Sequence, residues 1–238
     1  YWARSQVSQM LSEAVKDLPK NIDTEMGPIA TGLGEIYHDA VRAKKGYENK
    51  YSLTDLRTIQ DWIVRKQLSG TPGVAEVSGW GGYVKQYEVA LSTDRLNANG
   101  LTIADVFSAI EKNNANTGGG YIEENANQYF IRGIGVAKSL GDIADITVKN
   151  VAGTPVRVGD VADVRLGHAT RFGAVTRNGE GEVVAGIAIM LKGENFQEVI
   201  SNVKHRMAQI QKSLPEGVVI EPFIDRTNLV DRVEGTIA

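Results

Sequence analysis

One pattern recurs three times along this chain and constrains its fold more than any other feature: an amphipathic helix, a proline stop, then an extended β-branched segment. The first copy places Val7, Met10, Leu11, Ala14, Val15 and Leu18 at three- and four-residue spacing, stops at Pro19 and continues into a short extended segment, Ile22 to Met26. The second opens on Ser52-Leu-Thr-Asp55, a capping box in which the hydroxyl and the carboxylate satisfy orphan amides of the first turn. Leu56, Ile59, Trp62 and Ile63 then share a face, and Pro72-Gly73 leads into the strand Val74–Val77. The third carries Val199, Val203, Met207, Ile210 and Leu214 in register, stops at Pro215-Glu-Gly217 and runs into Val218-Val-Ile220.

The second and third copies are each preceded by a strand, Gly34 to Arg42 in one case and one or two strands within Val175 to Leu191 in the other. Strand–helix–strand twice over is the split βαβ arrangement of a ferredoxin-like sandwich. Here a long stretch, roughly Tyr83 to His168, separates the halves, and it is too well patterned to be a loop. Gln86–Leu91 alternates like a half-buried strand, and Thr102-Ile-Ala-Asp105 is a further capping box with Ile103, Val106, Phe107 and Ile110 behind it. Gly118-Gly119-Gly120 reads as a turn, Tyr121–Ile131 as a strand region, and Ile146-Thr-Val148 as a strand. A strand pair is expected around Gly159-Asp160, from Val156-Arg-Val158 to Val164-Arg-Leu166. The fold class is α+β: a split ferredoxin-like domain carrying an inserted α+β domain.

Composition excludes several classes. With 42% hydrophobic and 23% charged residues the chain is neither disordered nor collagen-like. A net charge of -3, without a long Lys/Arg run, argues against nucleic acid as a partner. With no cysteine, disulfides, zinc fingers and thiol catalysis are absent. The longest apolar run, Val183 to Leu191, is far short of the roughly 20 residues a membrane helix needs. Both ends, Tyr1-Trp2 and Gly235–Ala238, read as cut from something longer.

Few residues advertise chemistry. No two of His38, His168 and His205 are spaced as a ligand pair, whereas a zinc site needs three or four converging donors. His205 is expected at a solvent-facing or boundary position and His168 at the return from the insert. His38, near Glu35 and Asp39, makes the one cluster mixing imidazole with carboxylates, but regular alternation puts Glu35 and His38 on opposite faces. Met10, Met26, Met190 and Met207 show no paired spacing, and Met10 and Met207 are expected in the core. Glu123-Glu124 and Glu180/Glu182 are carboxylate pairs, all beside glycines and read as solvated turn charge. There is neither a phosphate-loop Lys-Ser/Thr after Gly118–Gly120 nor a Gly-x-Ser-x-Gly elbow, so the chain does not read as an enzyme.

Six strings in order carry more information. Ala30-Thr-Gly-Leu-Gly-Glu-Ile-Tyr37, Leu56-Arg-Thr-Ile-Gln-Asp-Trp62, Pro72-Gly-Val-Ala-Glu-Val77, Gly159-Asp-Val-Ala-Asp-Val164, Arg177-Asn-Gly-Glu-Gly-Glu-Val183 and Asp225-Arg-Thr-Asn-Leu-Val-Asp-Arg232 span nearly the whole chain. Together they resemble the heavy-metal efflux branch of the resistance–nodulation–division inner-membrane pumps, the cobalt–zinc–cadmium and copper–silver type. The first and last strings favour that branch over the multidrug one, which would need an aromatic-rich pocket where only Trp80 and Tyr83 cluster.

That resemblance implies the first large periplasmic loop of a proton-driven homotrimeric cation exporter, working with a periplasmic adaptor and an outer-membrane channel. Residues 1–28 would be the tail of the first porter subdomain, 29–82 with 169–225 the second, and 83–168 an inserted docking subdomain. Residues 226–238 would lead into a transmembrane helix. The family's proton-relay carboxylates and best-known metal-binding residues lie outside this stretch, so no catalytic, cofactor-binding or metal-binding residue is carried over. The shortage of Met and Cys favours zinc, cobalt, nickel or cadmium over copper and silver. The alternatives are a multidrug pump of the same superfamily and a stand-alone ferredoxin-like ligand-binding module.

Overall fold

A computed structural model describes residues 2–19, 22–124, 127–133, 135–151 and 153–227. The chain divides into two compact units, Tyr1–Gly82 with Gly173–Ala238, and Tyr83–Phe172. In chain order the first unit runs α1 (Trp2–Ala14), β1 (Glu35–Ala43), α2 (Leu53–Ile59), α3 (Arg65–Leu68) and β2 (Val74–Trp80). The second unit comes next with β3 (Lys85–Leu91), α4 (Thr93–Ala98), α5 (Ile103–Asn113), β4 (Thr117–Glu124), β5 (Asn127–Gly133), α6 (Leu140–Ala144), β6 (Thr147–Val151), β7 (Thr154–Arg157), α7 (Val158–Val161) and β8 (Ala162–His168). The first unit resumes with β9 (Val175–Thr176), β10 (Glu182–Met190), α8 (Phe196–Ser213) and β11 (Val218–Asp225).

The sheet of the first unit has the order β11-β1-β10-β2, every neighbour antiparallel, with β9 paired to the start of β10. β1 and β2 are therefore parallel to each other with β10 between them, which is why a helix must connect them. That helix begins as the sequence requires: Asp55 N donates to Ser52 Oγ, and the Asp55 carboxylate takes the Ser52 amide in return. It ends above Thr71-Pro72-Gly73-Val74, where Val74 N donates to Thr71 O and Gly73 has φ +83. Proline second and a positive-φ glycine third are what a type II turn demands. On α8, with Asn195 as its cap, Val199, Ile200, Val203, Met207 and Ile210 are buried in one stripe. They join Ile36, Tyr37 and Val41 of β1, Val77 of β2 and Val184 and Ala188 of β10 in a single core. At about 1.5–3 kcal/mol for each large apolar side chain, that core is what holds the unit together.

Three expectations about the first unit change, two in helices and one in a strand. Between α2 and α3 the helix widens into a π-turn, Gln60–Val64. One residue more per turn rotates the remainder of the helix, so Gln60, Val64 and Leu68 point inward and Trp62, expected on the apolar face, is exposed. α1 buries none of its residues, and Met10, expected in the core, is 71% exposed, because no described element covers that face. Ile22 to Met26 forms no strand.

The second unit has its own core of Leu96, Leu101, Val106, Ala109, Ile146, Val156, Val158 and Val161. The Thr102–Asp105 capping box forms, and α5 buries Val106 and Ala109 while Ile103 and Phe107 of the expected face are exposed. The strands expected on either side of Gly159-Asp160 form, but they do not pair with each other. Val158–Val161 is a helical turn; β7 pairs with β6, and β8 pairs with β3 from Lys85↔His168 to Leu91↔Ala162. Gly118–Gly120 lies in β4 rather than a turn, at a register shift in its pairing with β5, where glycine accommodates a bulge. Glu123 and Glu124 are likewise at the end of β4. The unit continues past residue 168, because Ala169 N donates to Val84 O and the Arg171 guanidinium lies 4.3 Å from the Tyr83 ring centroid. Most of 226–238 lies outside the described residues. Among the described residues no helix is long and apolar enough to cross a membrane.

Candidate functional site

The helix-bearing face of the main sheet is apolar except along one line. On β1, Tyr37 and Val41 enter the core, and between them stands Asp39, wholly buried. Its neighbours across the sheet are Gly186 on β10 and Pro222 on β11. Gly186 is the gap in the run Val183-Val-Ala-Gly-Ile-Ala-Ile: a β-carbon there would collide with Gln60 Nε2 and stand 2.5 Å from Asp39 Oδ1. Gln60, the first residue of the π-turn, is also wholly buried. Both carboxylate oxygens of Asp39 and both polar atoms of Gln60 lack a well-formed hydrogen bond. Burial pushes the Asp39 carboxyl up to about 7, against partial relief from its own amide and from the Gln60 side chain.

A second polar pair flanks the first. Arg57 Nε donates to Asp61 Oδ2 at 2.8 Å and Arg57 Nη1 to Gly81 O at 2.8 Å, both side chains being largely buried. Glycines at 79, 81 and 82 make room for this pair and for the chain beneath it. Tyr37 is pushed up to about 12, first by burial and then by the charges of Asp39 and Asp225. Further along the sheet Arg42 grips Glu221 through two hydrogen bonds, Arg177 adds a third, and Glu221 is held below the usual carboxylate range.

The sequence-predicted candidates are placed differently from one another. Glu35 and His38 meet, their side chains 3.8 Å apart, because a register shift between Glu35 and Tyr37 breaks the alternation that would have separated them. Burial pulls the His38 imidazole below its usual value, Glu35 opposing and Arg226 adding to the effect. His168 packs on the Tyr83 ring at 4.5 Å, and His205 is exposed on α8 with Gln209 beside it. Met207 is in the core, Met190 packs partly against it and Met26 is half-buried. Glu180 is exposed in its turn, while Glu182 accepts a hydrogen bond from Gly82 N. Trp80 is exposed at the end of β2. Trp62 edges a groove of about 560 Å³ with Asp61, Arg65, Lys66 and Ser69, and Lys66 Nζ lies 4.0 Å above its ring.

Among the described residues no three His, Cys, Asp or Glu side chains gather as a metal centre. What the main sheet contains is a buried carboxyl able to hold a proton near neutral pH. Sequence reasoning took Asp39 only as a neighbour of His38 and Glu35 and passed over Gln60, although a signal of burial existed. Asp39 sits two residues from apolar core positions on either side, and Gln60 four residues from Leu56 and from Val64.

Fold and site together define an α+β sandwich interrupted in sequence by a second α+β unit, with a polar line through its core. The chain belongs to the AcrB/AcrD/AcrF family, whose family model matches residues 1–235. It is 46% identical over its whole length to the cobalt-zinc-cadmium resistance protein CzcA of Cupriavidus metallidurans, of which it spans 23%. It is 41% identical, over 98% of its length, to the cation efflux system protein CusA of Escherichia coli K12, spanning 22% of that protein. A crystal structure of a heavy metal efflux pump superposes with a TM-score of 0.80 at 29% identity, covering 92% of this chain and 22% of that one. The chain thus spans less than a quarter of the length of these relatives.

Proposed function

We propose that this chain is the periplasmic porter and docking portion of a proton-driven heavy-metal cation efflux pump of the bacterial inner membrane. The observation that carries the reading is the 46% identity, across the whole chain, to a cobalt-zinc-cadmium resistance protein. On this reading residues 29–82 and 173–225 form a ferredoxin-like porter subdomain, 83–172 the docking insert, its end moved from 168 by the unit boundary, 1–28 the tail of a preceding porter subdomain, and 226–238 the approach to a membrane helix. The porter subdomains move as rigid bodies between alternating conformations, and the docking insert contributes to a homotrimer that hands cargo to an adaptor and an outer-membrane channel. The metal ion is cargo, not a resident cofactor, and the chain performs no covalent chemistry. Divalent zinc, cobalt, cadmium or nickel suits a segment without cysteine and with four dispersed methionines, soft ligands being what select copper(I) and silver.

The test is resistance. The parent gene, expressed with its adaptor and channel in a pump-deficient bacterium, is expected to protect against one or more of zinc, cobalt, cadmium and nickel and against no hydrophobic drug. Protection against copper and silver alone would move the cargo to the soft ions. Protection against drugs alone would overturn the reading.

A further inference from the structure

The polar line in the sheet core has no role in metal export as proposed, where the proton-carrying groups belong to the membrane. We propose that Asp39 is a proton-binding site, and that its occupancy sets how firmly the helix running from α2 through the π-turn to α3 is held on the sheet. Neither property depends on the identity of the cargo.

Asp39 is sealed from solvent, Gly186 beneath it lacks even a β-carbon, and its nearest polar side chain, Gln60, is as buried and as poorly hydrogen-bonded as Asp39 itself. A protonated carboxyl and a primary amide can share a hydrogen bond after a small rotation, whereas a carboxylate left there is a charge in an apolar core. The groups that face this point do not neutralise it. From β1 comes Tyr37, whose phenol stays protonated; from β11 come Pro222 and, further on, Asp225, already bonded to Lys204 and Thr227. From the helix come Gln60 and the Arg57–Asp61 pair, whose guanidinium is bonded to Asp61 and Gly81. From α8 come the apolar Val199, Val203 and Met207, while its His205 is exposed. From β10 comes only Gly186.

The helix above is the element able to respond. A π-turn is one residue of register away from an α-helix and interrupts the regular hydrogen-bond ladder, so Gln60–Val64 is where that helix can change register. Once Asp39 ionises, water is the one solvent for its charge, and water enters when this stretch lifts.

The test uses the 238-residue chain and amide hydrogen exchange, each rate divided by its intrinsic pH-dependent value. Lifting exposes a carboxyl that ionises near its ordinary value, while the seated one ionises near 7. Protection of the Gln60–Leu68 amides is therefore expected to fall about tenfold per pH unit from about pH 5 to about pH 7 and to level off above that. In Asp39→Asn the same amides should show flat protection across the range. The carbon-13 shift of the Asp39 carboxyl, read in the unaltered chain, needs no variant and should titrate near neutrality. A carboxyl midpoint below about pH 5 overturns the proton site. A neutral midpoint with flat protection in the unaltered chain, or a slope retained in Asp39→Asn, overturns its hold on the helix.

Discussion

Gly79 on β2 passes beneath Asp61 so closely that a β-carbon at position 79 would stand 2.5 Å from Asp61 Oδ1 and 3.3 Å from Arg57 Nε. Neither group can retreat, since each is the other's ion-pair partner. Gly79→Ala is therefore expected to cost about 2 kcal/mol of unfolding free energy by overpacking. Urea denaturation reads it as a lower midpoint at unchanged slope. Gly141→Ala supplies the contrast: it lies in α6 with only Ser139 Oγ nearby, at 3.6 Å, and should be neutral or stabilising by up to about 1 kcal/mol. Equal losses at both sites would refute the packing account.

The Arg57–Asp61 pair should behave as a largely buried ion pair. Arg57→Met removes the cation and the donor to Gly81 O while Asp61 stays in place. A loss of about 2–3 kcal/mol is expected, the charge left behind being the larger part of it. Adding Asp61→Asn in that background should recover a measurable fraction. If the double variant is as unstable as the sum of the single ones, the two residues are not coupled.

Asp39 also sets the direction of a pH effect on the whole unit. A carboxyl raised to about 7 in the folded state binds its proton more tightly than in the unfolded chain. Its contribution is fully present below about pH 4 and is lost as pH climbs through about 7. Glu221 and Asp225, both held below their ordinary values, act in the opposite sense and lose their contribution as pH falls through those lowered values. Asp39→Asn should accordingly raise the denaturation midpoint at about pH 8 and change it little or unfavourably at about pH 5. A variant destabilised equally at both values would show that Asp39 is not protonated in the fold.

The periodic part of this architecture was legible in the residues. β1, β2, β10, α8 and β11 fall where alternation, three-four spacing and proline stops put them, and the Ser52 and Thr102 capping boxes form as written. Departures from strict periodicity were not. The π-turn exchanges Trp62 for Gln60 on the buried side, and the irregular start of β1 brings Glu35 to His38. Both arise from one extra residue in a repeating element, which composition and spacing do not mark. Pairing choice was also hidden: Val156 and Val164 look like partners across Gly159-Asp160, yet a helical turn stands between their strands and each strand pairs elsewhere. The proton site was missed because Asp39 stands beside His38 and Glu35 in sequence, and alternation alone does not show that its face is the fully buried one.

α1 is amphipathic without a core: Trp2, Val7 and Met10 are exposed, and Arg4 ties the helix to the rest of the unit through a 2.6 Å hydrogen bond to Gly27 O. An uncovered apolar stripe of this kind drives association. The purified chain is expected to sediment above its 25.8 kDa mass in a concentration-dependent way. Val7→Ser with Met10→Glu should bring it toward that mass, while its stability to urea changes by no more than about 0.5 kcal/mol, since neither side chain is buried. A chain that already sediments at its single-copy mass would mean that the stripe is not sticky. A variant that associates as before would transfer the cause to the exposed Ile103 and Phe107 of α5.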